Sequence, residues 1–74
     1  MKGKLEIYRI FHDGKPALCI IVRGNIGQDN RDKLDVLGMT PVSDISNCRQ
    51  KILYTQTEAQ TLRDALIAQE IVEV

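Results

Sequence analysis

The stretch Lys4–Arg23, which reads KLEIYRIFHDGKPALCIIVR, decides the fold. Two runs rich in β-branched and aromatic residues flank the pair Asp13-Gly14. Asp-Gly is a favoured pair for a two-residue hairpin turn, because both central positions need a positive φ. The sequence therefore predicts a β-hairpin with strands over about residues 4–12 and 16–23.

A turn at these two positions also sets the register of the hairpin. Leu5 faces Val22, and Phe11 faces Pro16. The second of these is a non-hydrogen-bonded pair, so the missing N–H of Pro16 removes no bond between the strands. A slip of one residue would exchange the two faces, so everything that follows depends on the turn.

Alternate residues of a strand point to opposite faces of a sheet, and the two faces of this hairpin differ. One face, which we call the Arg9 face, is apolar apart from that arginine; it carries Leu5, Ile7, Arg9, Phe11, Leu18, Ile20 and Val22. The other, which we call the Tyr8 face, has polar ends and an apolar middle; the middle consists of Tyr8, Ile10, Ala17, Cys19 and Ile21. The Arg9 face is the better candidate for the core.

The Tyr8 face is too apolar for an ordinary solvated surface. Burying one large apolar side chain is favourable by about 1.5–3 kcal/mol, so such a patch is expected to be covered. A helix, a second protomer or a target protein could supply the cover. We predict a protein-interaction surface made of Tyr8, Ile10, Ala17, Cys19 and Ile21.

The middle of the chain is less clearly patterned. Residues 24–30 have the Gly, Asn and Asp content of a loop. Residues 29–38 fit a short helix with Asp29 or Asn30 as the N-cap and Gly38 just after its end. They also fit a strand, and we favour the helix. Residues 39–47 are predicted to be irregular.

The second half contains one strand and one well-marked helix. Residues 49–55 predict a third strand, with an apolar centre and polar ends. A helix is predicted from Glu58 to about Gln69, with Thr57 as the N-cap and Gln60 completing a capping box. Residues 71–74 are predicted to form a short final strand or an extended tail on the sheet.

Together these elements predict a single α+β domain over residues 1–74. The expected architecture is a small two-layer sandwich: the N-terminal hairpin and a third strand, with the C-terminal segment as a candidate fourth, packed against one C-terminal helix. A small, strongly bent sheet that closes on itself is the alternative.

Composition disfavours several classes of partner. Ten basic residues balance ten acidic ones, which leaves a net charge of zero and no general attraction to nucleic acid or to an anionic membrane. No apolar run approaches the ~18 residues needed to span a membrane. Cys19 and Cys48 form no CxxC pair, so we expect free thiols, a cytoplasmic location, no metal and no cofactor.

No catalytic arrangement emerges from the reactive residues. His12 is the only histidine, and it adjoins Asp13; neighbouring strand residues point to opposite faces, so we interpret it as an exposed strand end. Residues 24–27 lack the spacing of a phosphate-binding loop. The aspartates at 29, 32 and 35 lack the glycine and final glutamate of a calcium loop. We therefore predict that the protein is not an enzyme.

Three cations are candidates for contact with an anion or an acidic partner: Arg9, Lys15 and Arg23. Arg9 has the strongest case because it interrupts an apolar face. We nevertheless favour a structural interpretation, with Arg9 extending from a sheet edge to solvent or pairing with a carboxylate of the helix such as Asp64.

We predict a small non-enzymatic protein-interaction module, such as an adaptor, an inhibitor or a regulatory subunit. It would act through the Tyr8 face and self-associate as a homodimer, bind a different protein, or both. A weak nucleic-acid-binding accessory protein is a less favoured hypothesis. A third is a small enzyme in which His12, Cys19 and Arg9 converge.

Overall fold

The computed structural model describes residues 2–73. Its elements are β1 (Lys4–His12), β2 (Lys15–Arg23), α1 (Gln28–Val36), β3 (Thr40–Pro41), β4 (Cys48–Leu53) and α2 (Gln56–Ala68). The strands form one antiparallel sheet in the order β1-β2-β4-β3. The predicted α+β fold is confirmed; both helices, and not only the C-terminal one, pack on the sheet, and β3 is the fourth strand.

The hairpin has the predicted turn and register. Asp13 and Gly14 have φ values of 54° and 75°, as the two-residue turn requires. Phe11 pairs with Pro16, and the same register continues along the whole of both strands. Residues on the two faces are therefore those that the sequence predicted.

The core lies on the Arg9 face, and both helices pack there. Ile20 and Val22 of β2 and Leu53 of β4 supply the sheet side of the core. The helices and the segments next to them supply the other side through Ile26, Leu34, Met39, Ala59, Leu62, Leu66, Ile71 and Val72. The molecule therefore has two layers, a sheet and a layer of helices.

α1 is a helix as favoured, but it begins differently from the prediction. Its N-cap is Gly27, with no side-chain capping bond, rather than Asp29 or Asn30. Its end follows the prediction: Gly38 has a φ of 81°, and the N–H of Met39 donates to the carbonyl oxygen of Leu34 at 3.0 Å. This left-handed ending places Met39 in the core.

α2 begins two residues earlier than predicted. Thr55, not Thr57, is the N-cap, and its hydroxyl accepts a bond from the N–H of Glu58 at 3.1 Å. Two overlapping Thr-x-x-Glu/Gln patterns lie here, and the strand decides between them. β4 ends at Leu53 instead of Thr55, so the earlier threonine is already free to cap the helix.

Residues 39–47 are not wholly irregular. Thr40 and Pro41 form the short edge strand β3, paired with Gln50 and Arg49 of β4. β4 also starts one residue earlier than the predicted third strand, at Cys48, which is buried.

The segment after α2 touches the start of β1. Val72 and Gly3 form a single parallel bridge rather than a strand. The N–H of Gly3 donates to the carbonyl oxygen of Ile71 at 2.9 Å, and the N–H of Glu73 donates to the carbonyl oxygen of Gly3 at 3.0 Å. The predicted position of Val74 lies outside the described residues.

Candidate protein-interaction surface

The part of the chain that the structure describes places no covering layer over the Tyr8 face. None of its apolar side chains belongs to the core cluster, which lies on the other side of the sheet with both helices. Through residue 73, no described helix or strand packs over this face. The five residues that the sequence singled out here do lie together on one face, as the register shows: Tyr8, Ile10, Ala17, Cys19 and Ile21.

Exposure on this face follows side-chain size and position. The Tyr8 side chain lies on the edge strand and is 48% exposed, while Ile10 and Ile21 are half-buried. Ala17 and Cys19 are small and lie on the central strand β2, where larger neighbours surround them, so both are buried without any covering element. The result is a shallow apolar surface rather than a cleft.

β4 places Cys48 and Gln50 on this face, opposite Arg23 and Ile21, and extends its apolar surface by two further residues that the sequence analysis did not include. Ile52 lies opposite Cys19, so it shares the same face. Tyr54 follows one position past the end of β4, and its hydroxyl lies 2.6 Å from His12 Nδ1. The alternation of Ile52 and Tyr54 was visible in the sequence, but their place beside β2 was not.

Polar residues close both ends of the Tyr8 face. At one end, the Arg23 guanidinium donates to the Glu6 carboxylate at 2.8 Å and lowers the pKa of Glu6 below its usual value. At the other end, Lys15 Nζ lies 5.9 Å from the centre of the Tyr54 ring, next to the contact between Tyr54 and His12. The surface therefore has an apolar centre and a polar rim.

Cys19 is a packing residue of this surface. Its Sγ lies 3.6 Å from Oε1 of Gln50, to which the thiol donates. Burial, with a smaller contribution from Cys48, raises the pKa of the Cys19 thiol. A raised pKa disfavours the thiolate, which is the nucleophilic form.

The three candidate cations do not converge. Arg23 is engaged by Glu6 at one end of the Tyr8 face, and Lys15 lies at the other end beside Tyr54. Arg9 lies on the opposite face of the sheet. The Arg9 guanidinium has no ion pair or side-chain hydrogen bond with any described residue, so the suggested pairing with Asp64 is absent.

Asp64 is engaged elsewhere. Its carboxylate accepts a bond from the Gln60 amide at 2.9 Å and lies 3.9 Å from the Arg63 guanidinium. Arg9 and Arg63 instead line one shallow groove between β1 and α2. This groove was not predicted, because it depends on where α2 crosses the sheet.

The residues considered for catalysis are also separated. His12 and Cys19 lie on the Tyr8 face, while Arg9 lies on the other side of the sheet. Among residues 2–73, no three His, Cys, Asp or Glu side chains lie close enough together to hold a metal ion. In the same part of the chain, neither helix is long and apolar enough to cross a membrane.

Comparisons with protein-family models, with curated proteins and with solved structures give no match for this chain.

Proposed function

We propose that this protein is a small non-enzymatic interaction module that self-associates through the Tyr8 face. The observation that carries the proposal is an apolar surface across β1, β2 and β4 with no described element over it. An adaptor, an inhibitor and a regulatory subunit all require such a surface. The raised pKa of the Cys19 thiol supports a packing role rather than a nucleophilic one.

The size of the patch fits an interface that includes its polar rim. Three strands about 4.8 Å apart and five residues rising about 3.3 Å each give an apolar centre on the order of 250 Å² in projection. A stable interface buries about 800 Å² on each partner. The contact must therefore extend to the Glu6–Arg23 pair at one end and to Tyr54 at the other.

The arrangement also matches the usual anatomy of interfaces, in which an apolar centre is surrounded by polar groups. Two sheets that pack face to face lie about 10 Å apart and interdigitate their side chains. A second copy placed in this way would bury Tyr8, Ile10 and Ile21 against the same residues of its partner. The protein would then be a symmetric sandwich with helices on both outer sides.

We place the protein in the cytoplasm. Cys19 and Cys48 are both free thiols, and this supports a reducing compartment.

The test is a charge placed in the apolar centre. We expect Ile21→Glu to remain folded, because Ile21 is outside the core cluster, but to become monomeric, because a carboxylate would be buried in the interface. Sedimentation equilibrium measures the mass, and circular dichroism measures folding. The matched control is Ile45→Glu, which changes an exposed isoleucine away from the sheet and should leave self-association unchanged.

Two outcomes would contradict the proposal. One is a wild-type protein that stays monomeric up to millimolar concentration. The other is a dimer that survives the charge at Ile21. If Ile21→Glu does not fold, Tyr8→Glu replaces it, because the Tyr8 side chain is half exposed in the single chain and tolerates a charge there.

A further inference from the structure

The outer edge of β1 is a second unpaired surface. β1 is nine residues long and lies at the edge of the sheet, so only its inner side is paired with β2. At the other edge, β3 has only two residues. A long free edge is a template for pairing with another extended chain.

The backbone groups that face outward follow from the hairpin. His12 and Lys15 flank the two-residue turn, so they form a hydrogen-bonded pair, and the pairs then alternate along the strands. The odd-numbered residues of β1 are thus in the non-bonded pairs and direct their N–H and C=O groups outward. These residues are Leu5, Ile7, Arg9 and Phe11.

The start of β1 already accepts a chain at this edge. Gly3 is odd-numbered, so its N–H and C=O groups also point outward, and both of them form hydrogen bonds with the segment Ile71–Glu73. This contact ends at Gly3. From Leu5 to Phe11, the outward groups have no backbone partner in the described part of the chain.

The groove beside this edge is cationic. It has a volume of about 220 Å³ and lies on the Arg9 face between β1 and α2. Ile7, Leu18 and Ala59 form its apolar part, and Arg9 and Arg63 line it as well. No acidic side chain lines the groove. Arg63 lies 3.9 Å from the Asp64 carboxylate, but Arg9 has no carboxylate partner among the described residues, so a carboxylate from another chain can pair with it.

The same charge disfavours a second copy of this chain at the edge. Antiparallel pairing of all nine residues of β1 with another β1 places Tyr8 opposite Tyr8. Arg9 then lies diagonal to the Arg9 of the second copy, about 7–8 Å away on the same face. A strand that carries an acidic residue at that position avoids the repulsion.

We propose that the edge of β1 from Leu5 to Phe11 binds an extended acidic segment of a partner protein as an additional strand. Backbone hydrogen bonds supply the pairing, and a carboxylate opposite Arg9 supplies the selectivity. This site lies on a different surface from the Tyr8 face. Binding at this edge can therefore be tested independently of self-association.

The geometry also predicts the sequence pattern of the partner. The partner residue that lies opposite Arg9 has its side chain on the Arg9 face, and we expect this residue to be acidic. The residues two positions to either side lie opposite Ile7 and Phe11, whose side chains are 44% and 78% exposed. Apolar residues at these two positions would cover them, which gives the pattern apolar-x-acidic-x-apolar.

The test uses capped synthetic peptides with the full chain. The probe is Thr-Val-Thr-Glu-Thr-Val-Thr, and the matched peptide has Lys in place of Glu. We expect the Glu peptide to shift the amide resonances of Leu5, Ile7, Arg9 and Phe11 and to slow their hydrogen exchange. We expect the Lys peptide to bind at least tenfold more weakly.

Charge reversal in the protein completes the experiment. Arg9→Glu should reverse the preference between the two peptides, whereas Lys33→Glu makes the same change in net charge on α1 and should leave it unchanged. If Arg9→Glu does not fold, Arg63→Glu tests the same groove. Equal affinities for both peptides, or binding that leaves the four outward amides unprotected, would overturn the proposal.

Discussion

At the scale of single residues, Glu70 is in an unfavourable conformation at the end of α2. Its φ is 57°, and it belongs to the left-handed ending in which the N–H of Ile71 donates to the carbonyl oxygen of Leu66 at 3.0 Å. This conformation costs a residue with a Cβ about 1 kcal/mol, and glycine avoids that cost. We expect Glu70→Gly to raise the free energy of unfolding by about 1 kcal/mol in urea titrations.

The control is Glu70→Ala at the same exposed position. Alanine removes the carboxylate but keeps the Cβ, so it should give no comparable gain. A gain as large as that of glycine would mean that the charge, and not the backbone, is responsible.

Residue patterns predicted the hairpin but not the environment of its arginine. The register could be predicted because the turn of Asp13 and Gly14 is local and fixes every facing pair. The surroundings of Arg9 depend on where α2 crosses the sheet, which no local pattern specifies. The presence of a cation on an apolar face was visible in the sequence; its lack of an ion pair and its neighbour Arg63 were not.

At the scale of elements, the start of α2 distinguishes two threonines that look equivalent in the sequence. Thr55 accepts the bond from Glu58, while Thr57 lies inside the helix. Loss of a capping hydroxyl typically costs about 1 kcal/mol. We therefore expect Thr55→Ala to lower the free energy of unfolding by about 1 kcal/mol and Thr57→Ala to change it by less than about 0.5 kcal/mol.

Urea titrations of both variants decide the point, because both residues are exposed and the substitution is the same. A larger loss from the variant at position 57 would place the N-cap where the sequence had suggested it.

The boundaries that the sequence located best are those marked by a strong local signal. The hairpin has its turn, and α1 has Gly38 at its end. The start of α1 has no capping side chain, so its first residue could not be located. β3 has only two residues and exists through its pairing with Gln50 and Arg49, a contact distant in sequence.

At the scale of the whole molecule, the elements within residues 2–73 are too few to cover both faces of the sheet. The two helices have nine and thirteen residues, and both lie on the Arg9 face. The sequence predicted that one face of the hairpin would lack cover, because only one strong helix was evident. The other helix, α1, packs in the same layer as α2, so no described element covers the Tyr8 face.

A dimer formed through the Tyr8 face would couple stability to protein concentration. Where the dimer dominates, a hundredfold rise in concentration should stabilise each protomer by about 1.4 kcal/mol, because association favours only the folded chain. For a domain of this size, that is a rise in Tm of about 5–10 °C. Thermal unfolding of the wild type across this range measures it, with Ile45→Glu expected to show the same slope. Ile21→Glu should have the same Tm at every concentration, because the unfolding of a monomer does not depend on protein concentration. A wild-type Tm that does not change with concentration would mean that the Tyr8 face remains exposed to solvent and forms no dimer.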